Sequence, residues 1–347
     1  MPSLLDWTDV SDADWVRCLD RTHHHRRTTG SAAWTDVARH KTLGMLFFNS
    51  RLRTRTTMEL AAVQLGAHPT TLNVGSGVWG FAWEDGVPMT GGEAEHIQEA
   101  VGVLARLYDA LGVRVFATLN DAAKDDADAL LHRFARAALD ADGAPVPVVN
   151  LESAKVHPCQ QLADAATLAH VFGTDADLAG RTVTVTWAPH PKPLPRAVPH
   201  SALLAAARLG VNVRLAHPEG FDLAPDVIAA AQGYCDARGT TLTVTHDRAA
   251  AFDGADAVYA KAWAAPLVYT DPDAEAALRA AHADWTVTEA DMATTREGRF
   301  LHCLPVRRGV VVEDAVLDGP RAVHLTQAEH RLHAQKAILE WMWDLLA

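Results

Sequence analysis

Residues 42–67, TLGMLFFNSRLRTRTTMELAAVQLGA, decide the reading of the fold. TLGMLFFN (42–49) is a short apolar run of the kind that forms a buried strand, and TMELAAVQLGA (57–67) has the spacing of a helix packed on it. Between them lies Arg51-Leu52-Arg53-Thr54-Arg55-Thr56, where three arginines alternate with small or apolar residues at the point where the strand ends. Backbone N–H groups at a helix N-terminus bind anions. Guanidinium groups and hydroxyls placed there add charge-assisted hydrogen bonds. The segment is therefore read as a phosphate site in preference to a solvated basic patch.

The same alternation continues in both directions. TTLNV (70–74), VRVFAT (113–118) and VPVVNLE (146–152) read as strands, with HIQEAVGVLARLYDALG (96–112) and QQLADAATLAHVFG (160–173) as helices. Further on, TVTVTWA (182–188), VNVRLAHP (211–218), TLTVTH (241–246) and AVYAKAW (257–263) read as strands. SALLAAARLG (201–210) and the closing QAEHRLHAQKAILEWMWDLLA (327–347) read as helices. Strands alternating with helices argue for parallel sheets and an α/β fold. The length of 347 residues suits two domains, with a boundary near 150–160. Ligands of such sheets bind at the carboxyl ends of the strands.

Composition narrows the function. A net charge of -12 disfavours nucleic acid and anionic membranes as partners, though a local arginine cluster can still oppose the global field. Hydrophobic residues make up 49%, an ordinary globular mix, and no window approaches the ~20 apolar residues of a membrane span. The opening MPSLLDWTDVSDADW has neither a basic n-region nor an apolar run, so no secretory signal is read there. Cys18, Cys159, Cys235 and Cys303 are widely separated and form no CxxC pair, which argues against a disulfide framework. A reduced cytoplasmic protein is the expectation.

Two motifs fail their context tests. Gly75-Ser76-Gly77-Val78-Trp79-Gly80 matches GxGxxG after a strand, but FAWEDGVPMTGG follows it, and a dinucleotide site needs a helix to begin at the glycines. A glycine-rich loop whose Trp79 caps a site is the better reading. His23-His24-His25 are adjacent and on a helix would point in different directions, so HHHRR is read as a solvated basic stretch and no metal is expected.

Three further segments carry chemistry: His157-Pro158-Cys159-Gln160 before a helix, WAPHPKPLP (187–195) after a strand, and His302-Cys303-Leu304-Pro305-Val306-Arg307-Arg308. The prolines of the second stiffen a loop around His190. Each alone has a bland reading, as a core histidine, a rigid turn or a surface arginine pair. In this order, and with the Arg-Thr-Arg segment before them, they resemble the aspartate/ornithine carbamoyltransferase family over essentially the whole chain. The Ser-Met-Gly loop of ordinary ornithine carbamoyltransferases is missing. Tyr259-Ala260-Lys261-Ala262-Trp263 and WAPHPKPLP instead resemble the branch acting on N-acetylornithine or N-succinylornithine.

The resemblance implies two α/β domains. Residues 1–155 would bind carbamoyl phosphate, with 325–347 returning to them, and 156–324 would bind the acyl-ornithine. It also implies a homotrimer with shared sites, arginine biosynthesis as the setting, and no cofactor. The implied reaction must hold phosphate, polarise a carbonyl that becomes an oxyanion, and align a neutral amine with it. By resemblance, Arg53, Thr54 and Arg55 hold the phosphate beside Arg51 and Leu52, and Trp79 enters from a neighbouring subunit. Arg114 contacts phosphate and carbonyl oxygen, His157 and Gln160 polarise the carbamoyl group, Cys303 and Leu304 sit near it, and Arg331 closes the donor site. Glu152, His190, Lys261 and Arg307 match acyl-ornithine positions. Relatives usually carry Ser where Arg51 stands, so a longer, cationic side chain is expected there.

Two positions bear on the acyl group. By resemblance, acetyl-specific enzymes carry Glu where Ala94 stands and Lys where Val311 stands. A Glu there would repel a succinyl carboxylate, and Ala94 removes that repulsion. His217-Pro218-Glu219-Gly220 also looks more like the succinyl branch. N-succinylornithine is the expected acceptor, with N-acetylornithine as the alternative. More remote rivals are an NAD-dependent α/β enzyme and a non-catalytic ligand-binding protein.

Overall fold

A computed structural model of the chain describes residues 1–28, 30–49, 52–173 and 178–346. They form two compact units, one of Met1–Ala117, Ala123–Cys159 and Arg331–Ala347, the other of Thr118–Ala122 and Gln160–His330.

The first unit is built on a four-stranded parallel sheet in the order β2-β1-β5-β6. The strands are β1 (Thr42–Phe47), β2 (His68–Asn73), β5 (Ala110–Arg114) and β6 (Val148–Glu152), with a small separate pair of β3 (Phe81–Ala82) and β4 (Glu95–His96). Five of the six residues of β1 and all five of β5 and of β6 are buried, as expected for strands covered on both faces. The helices are α1 (Asp12–Arg27), α2 (Leu52–Gln64), α3 (Ile97–Leu104) and α4 (Ala129–Ala137). The chain leaves β1 toward β2 on one side, while β5 lies on the other. The order therefore reverses at β1/β5, where parallel sheets open a ligand crevice. The C-terminal helix (His324–Met342) joins this unit from Arg331 onward and docks on α1. Its buried Glu340 takes a bidentate bond from Arg21, at 2.6 and 2.8 Å, and lies 2.8 Å from His25 Nε2. Trp7 stacks edge-on to Trp15 at 5.0 Å and meets Trp341 at 6.1 Å.

The second unit repeats the plan with five parallel strands in the order β11-β10-β7-β8-β9. These are β7 (Thr182–Trp187), β8 (Asn212–Ala216), β9 (Leu242–Thr245), β10 (Ala257–Lys261) and β11 (Arg299–Leu301). The helices that bear on the site are α5 (Pro158–Phe172), α6 (Ala197–Leu209), α7 (Pro225–Arg238) and α8 (Pro272–Ala280). Helix α6 is buried from Ala197 through Arg208, and its alanine-rich sequence lets neighbours approach on every side. It stops at Gly210, whose φ of 92° a side chain would strain. Here the order reverses at β7/β10.

Several expectations are corrected. Residues 96–112 are not one helix: α3 ends at Leu104 and β5 begins at Ala110. The apolar run around 110–112 suits either period, and packing decides for the strand. A Cβ on Gly112 would lie 3.0 Å from Leu151, and one on Gly44 only 2.8 Å from the Tyr108 ring, so both glycines admit close neighbours. Helix α2 begins at Leu52, which puts Arg53, Thr54 and Arg55 inside its first turn, not ahead of it. His25 is buried against Glu340 and so is not part of a solvated stretch. Strand β11 was not anticipated. No helix starts at the glycines of 75–80, where Val74 and Val78 form a bridge and β3 follows. All four cysteines are free thiols.

Candidate active site

In the first unit the predicted donor residues gather at the carboxyl ends of β1, β5 and β6. Thr54 lies buried on the first turn of α2, directly after β1. Its hydroxyl accepts from two guanidinium groups, Arg114 Nη1 at 3.1 Å and Arg331 Nη2 at 2.7 Å. Arg114 ends β5 and is fully buried, and Arg331, on the C-terminal helix, is 3% exposed. Arg114 also donates from Nη1 to the Leu151 carbonyl at 3.3 Å, pairs through Nη2 with Glu152, and lies 4.5 Å over the Phe116 ring. Two buried cations on one hydroxyl repel each other. Glu152 offsets part of that charge, and a multiply charged anion would offset more.

Glu152 ends β6 in a strained conformation, with φ 140°, where the β5/β6 register slips between Val113 and Arg114. Its carboxylate is 3.4 Å from His157 Nε2. Behind it, Asn150 Oδ1 accepts from the Glu152 N–H at 3.0 Å, and Asn150 Nδ2 donates to Ser153 Oγ, also at 3.0 Å. Ser153 Oγ donates to Asp128 at 2.6 Å, and Asp128 accepts from the Lys155 N–H at 3.1 Å. Burial pushes the Asp128 carboxyl up to about 6, against the lowering effect of its hydrogen bonds to Ser153 and the backbone. This network holds the loop that leads to His157. Sequence reasoning did not single out Asn150, Ser153 or Asp128, which are ordinary polar residues in no motif.

The remaining predicted donor residues of this unit are less deeply buried. Arg53 is half-buried on the same turn, Leu52 is exposed, and Arg55 is exposed and paired with Glu59 at 3.1 Å. On a helix the neighbours of an inward residue point about 100° away on either side, which turns Arg55 outward. Trp79 is 57% exposed and donates to Glu95 at 2.9 Å; Ala94 is exposed beside Glu95. Arg51 lies outside the described residues.

In the second unit the predicted acceptor residues follow β7, β10 and β11. Arg307 Nε donates to His190 Nε2 at 3.0 Å. Nδ1 lies 2.8 Å from the Lys192 carbonyl and 3.1 Å from the Lys192 N–H; because guanidinium only donates, His190 Nε2 accepts, and the neutral ring then carries its proton on Nδ1 toward the carbonyl. Burial lowers the His190 pKa, and the cations Lys261, Arg307 and Arg279 lower it further. Lys261, at the end of β10, donates to the Ala262 carbonyl at 3.0 Å. Lys261 and Arg307 beside this ring are cations suited to a carboxylate-bearing ligand.

Gln160, Cys303 and Leu304 belong to a second cluster of this unit. Gln160 Nε2 donates to Asp164 at 2.7 Å, and Gln327 Nε2 donates to the same oxygen at 2.6 Å. Gln327 Oε1 accepts from the His302 N–H at 2.9 Å, and His302 Nδ1 from the Leu304 N–H at 2.8 Å. Burial raises the pKa of Tyr259 well above the usual tyrosine range, with Asp164 and Cys303 adding to the rise. Asp164 is thus the hub that fixes Gln160 and the HCLP segment. Its spacing of four residues from Gln160 on one helix was the signal available in the sequence.

The chain is similar to known proteins along most of its length. The carbamoyl-P binding domain of aspartate/ornithine carbamoyltransferase matches residues 3–170, and its Asp/Orn binding domain matches residues 196–342. An N-acetylornithine carbamoyltransferase of Xanthomonas campestris pv. campestris is 42% identical over 306 residues, 86% of each chain. An N-succinylornithine carbamoyltransferase of Bacteroides thetaiotaomicron is 36% identical over 307 residues, 88% of this chain and 89% of that one. The crystal structure of an acetylornithine transcarbamylase complexed with acetylcitrulline superposes with a TM-score of 0.92 at 38% identity, covering 99% of both chains. The chain belongs to the aspartate/ornithine carbamoyltransferase family.

Proposed function

We propose that the protein transfers the carbamoyl group of carbamoyl phosphate to the δ-amine of N2-succinyl-L-ornithine, giving N-succinylcitrulline and phosphate, as a step of arginine biosynthesis. The convergence of Arg114 and Arg331 on the Thr54 hydroxyl carries the donor assignment, because buried guanidinium groups meeting at a helix N-terminus suit a phosphate. Arg53 and Arg55 complete the phosphate contacts, with Arg51, Leu52 and Trp79 contributing. His157, Gln160 and Arg114 polarise the carbonyl, and Cys303 and Leu304 lie beside it. Lys261 and Arg307 take the carboxylates of the acceptor, His190 sits at this site holding Arg307, and Glu152 takes its nitrogen. On this reading residues 1–155 with 325–347 serve the donor and 156–324 the acceptor, in a cytoplasmic homotrimer. Among the described residues no helix is long and apolar enough to cross a membrane.

The chemistry is nucleophilic attack by an amine. The C–N bond forms, the C–O bond to phosphate breaks, and the proton lost by the amine leaves with the phosphate, whose charge Arg114 and Arg331 balance. A lysine-like amine has a pKa near ~10.4, and only its neutral form attacks. The rate therefore rises with pH above neutrality.

Ala94 supports succinyl. A carboxylate facing the succinyl carboxylate at ~4 Å would cost on the order of 4 kcal/mol at an effective dielectric of ~20, nearly a thousandfold in affinity. Variants of an N-acetyl-L-ornithine transcarbamylase in which one glutamate is replaced by Pro, Ser, Ala or Val are found complexed with carbamyl phosphate and N-succinyl-L-norvaline. Val311 is 2% exposed and apolar, at the position where the family resemblance implies Lys in acetyl-specific enzymes. The second reading is N-acetylornithine, favoured by the higher identity to the Xanthomonas enzyme, 42% against 36%.

The deciding assay follows product formation from carbamoyl phosphate with ornithine, N-acetylornithine and N-succinylornithine side by side. N-succinylornithine is expected to have the highest kcat/KM, with ornithine inert. Preference for N-acetylornithine overturns the acyl assignment and leaves carbamoyl transfer intact. Reaction with ornithine alone overturns both.

A further inference from the structure

We infer that the buried pair Glu275–Arg279 on α8 is a positioning device that fixes the loops carrying His190 and Lys261, and so sets how tightly the acceptor is held. This rests on the acceptor reading of those two residues. The pair is deeply buried, with Glu275 at 0% and Arg279 at 6% exposure. Arg279 reaches Glu275 three times, from Nε to both oxygens at 3.2 Å and from Nη2 at 2.9 Å. Its remaining terminal nitrogen, Nη1, donates to the His190 carbonyl at 2.8 Å. Glu275 Oε1 in turn accepts from the Ala265 N–H at 3.3 Å. One ion pair therefore grips the loop after β7 through a carbonyl and the loop after β10 through an N–H.

Neighbouring bonds show that the two loops form one unit. The Ala188 N–H donates to the Lys261 carbonyl at 3.1 Å, and the Ala264 N–H donates to the Leu194 carbonyl at 2.9 Å. Trp187 Nε1 adds a bond to the Trp263 carbonyl at 2.9 Å. These ties fix the loops to each other. Arg279 fixes them to α8, at the residue whose ring meets Arg307. A bare salt bridge needs no such fork. Arginine is required because its planar guanidinium serves a carboxylate edge and a carbonyl together, a geometry that lysine cannot copy. Neither residue is placed to touch substrate, so its effect reaches the reaction through His190 and Lys261.

The test compares the full-length protein with Arg279→Lys and Arg279→Met. Arg279→Lys keeps the cation beside Glu275 and loses the fork. It is expected to raise the KM of the preferred acyl-ornithine about tenfold, with the KM for carbamoyl phosphate changing less than twofold. Arg279→Met is expected to raise it further. Nitrogen NMR of ring-labelled histidine gives a readout independent of activity: the Nδ1–H form of His190 is expected in the unmodified protein and a mixture of forms in both variants. Should Arg279→Met not fold, Arg279→Lys decides. Unchanged acceptor KM in a folded variant overturns the inference, as does a rise in both KM values together. If the unmodified protein carbamoylates no acyl-ornithine, the acceptor reading has failed, and unmoved His190 resonances in the variants then overturn the positioning role as well.

Discussion

The two units share one sheet plan and treat their ligand residues differently. In the first, the order reverses at β1/β5, and the cations set there, Arg114 and Arg331, are buried and already bonded to Thr54 and Glu152. In the second, the order reverses at β7/β10, and the cations there stand nearer the surface: Lys261 is half-buried and Arg307 exposed. On the proposed reading the first unit is the donor half and the second the acceptor half, and the donor half is preorganised by burial. The acceptor half has its rigidity underneath, in Glu275–Arg279 and the paired loops, while its reaching side chains keep contact with water. Preorganised charges suit a small, highly charged group whose bonds break, whereas solvated cations suit the carboxylates of a larger ligand that stays intact.

The sharpest way to break this contrast is to remove one cation from each half. Arg114→Ala leaves the buried Glu152 carboxylate without its guanidinium and Thr54 without one donor. Stability in urea unfolding is expected to fall by about 3–5 kcal/mol. Arg307→Ala, at an exposed position, is expected to change stability by no more than about 0.5 kcal/mol. Equal losses would remove the distinction between a buried and a solvated half.

A second test probes the cost of the donor half's rigidity through Asp128. Its folded pKa of about 6 lies above the ordinary value of 3.8 because burial disfavours the charged form. Between these values the folded state holds more protons than the unfolded one. The contribution of Asp128 is therefore fully present below pH ~3.8 and is lost as pH rises through ~6. The gap corresponds to about 3 kcal/mol at most. Relative to Asp128→Asn, the unmodified protein is expected to lose stability by up to that amount from pH 4 to pH 7. A parallel pair of stability curves would show that Asp128 titrates as freely as an exposed carboxyl.

These tests also mark how much was legible in the sequence. Residues 42–67 showed the strand and helix because their apolar runs are of different length and are separated by a charged turn. Residues 96–112 misled, because Ala110, Leu111 and Gly112 fit a helical face as well as a strand, and the choice is made by packing against Leu151 and Met45, which are distant in the chain. Strand β11 has three residues, too few to show a period. The histidines and the arginines of the 51–56 and HCLP segments were visible because their motifs are local, whereas Arg114 and Arg331 lie in no local motif and entered only through the family resemblance. Asp164 and Arg279 showed only as i,i+4 neighbours of Gln160 and Glu275, and their bonds to Gln327 and His190, like that of Asp128 to Ser153, join partners brought together by the fold. His25 misled for the same reason, since Glu340, which makes it a buried residue, lies 315 positions away.

In the acceptor half, Arg307→Ala removes a charge-assisted donor to a carboxylate, worth about 1.5–3 kcal/mol. The KM for the preferred acyl-ornithine is expected to rise at least tenfold, with the affinity for carbamoyl phosphate unchanged in calorimetric titration. A matching loss of donor affinity would show that the halves are not separate in their ligands.

The smallest expected effect is at Arg55, and it tests the edge of the donor half. Arg55 shares the first turn of α2 with Thr54 but points outward, where it pairs with Glu59 at i,i+4 with both side chains partly in water. Such a pair contributes about 0.3–0.5 kcal/mol, so Arg55→Ala is expected to change the unfolding midpoint only slightly. Its effect on carbamoyl phosphate has a different origin. To reach the phosphate, Arg55 must leave Glu59, so its net contribution is smaller than that of Arg331, which already faces Thr54. A loss of donor affinity of roughly threefold to tenfold is expected, below that of Arg331→Ala and diminishing as salt is raised through ~0.15 M, where exposed charges are screened beyond ~8 Å. Glu59→Gln sharpens the point: freed of its partner, Arg55 is expected to bind the donor more tightly. If Arg55→Ala proves as damaging as Arg331→Ala at every salt concentration, the donor half extends beyond the buried cluster, and Arg55 belongs to it as fully as Arg114.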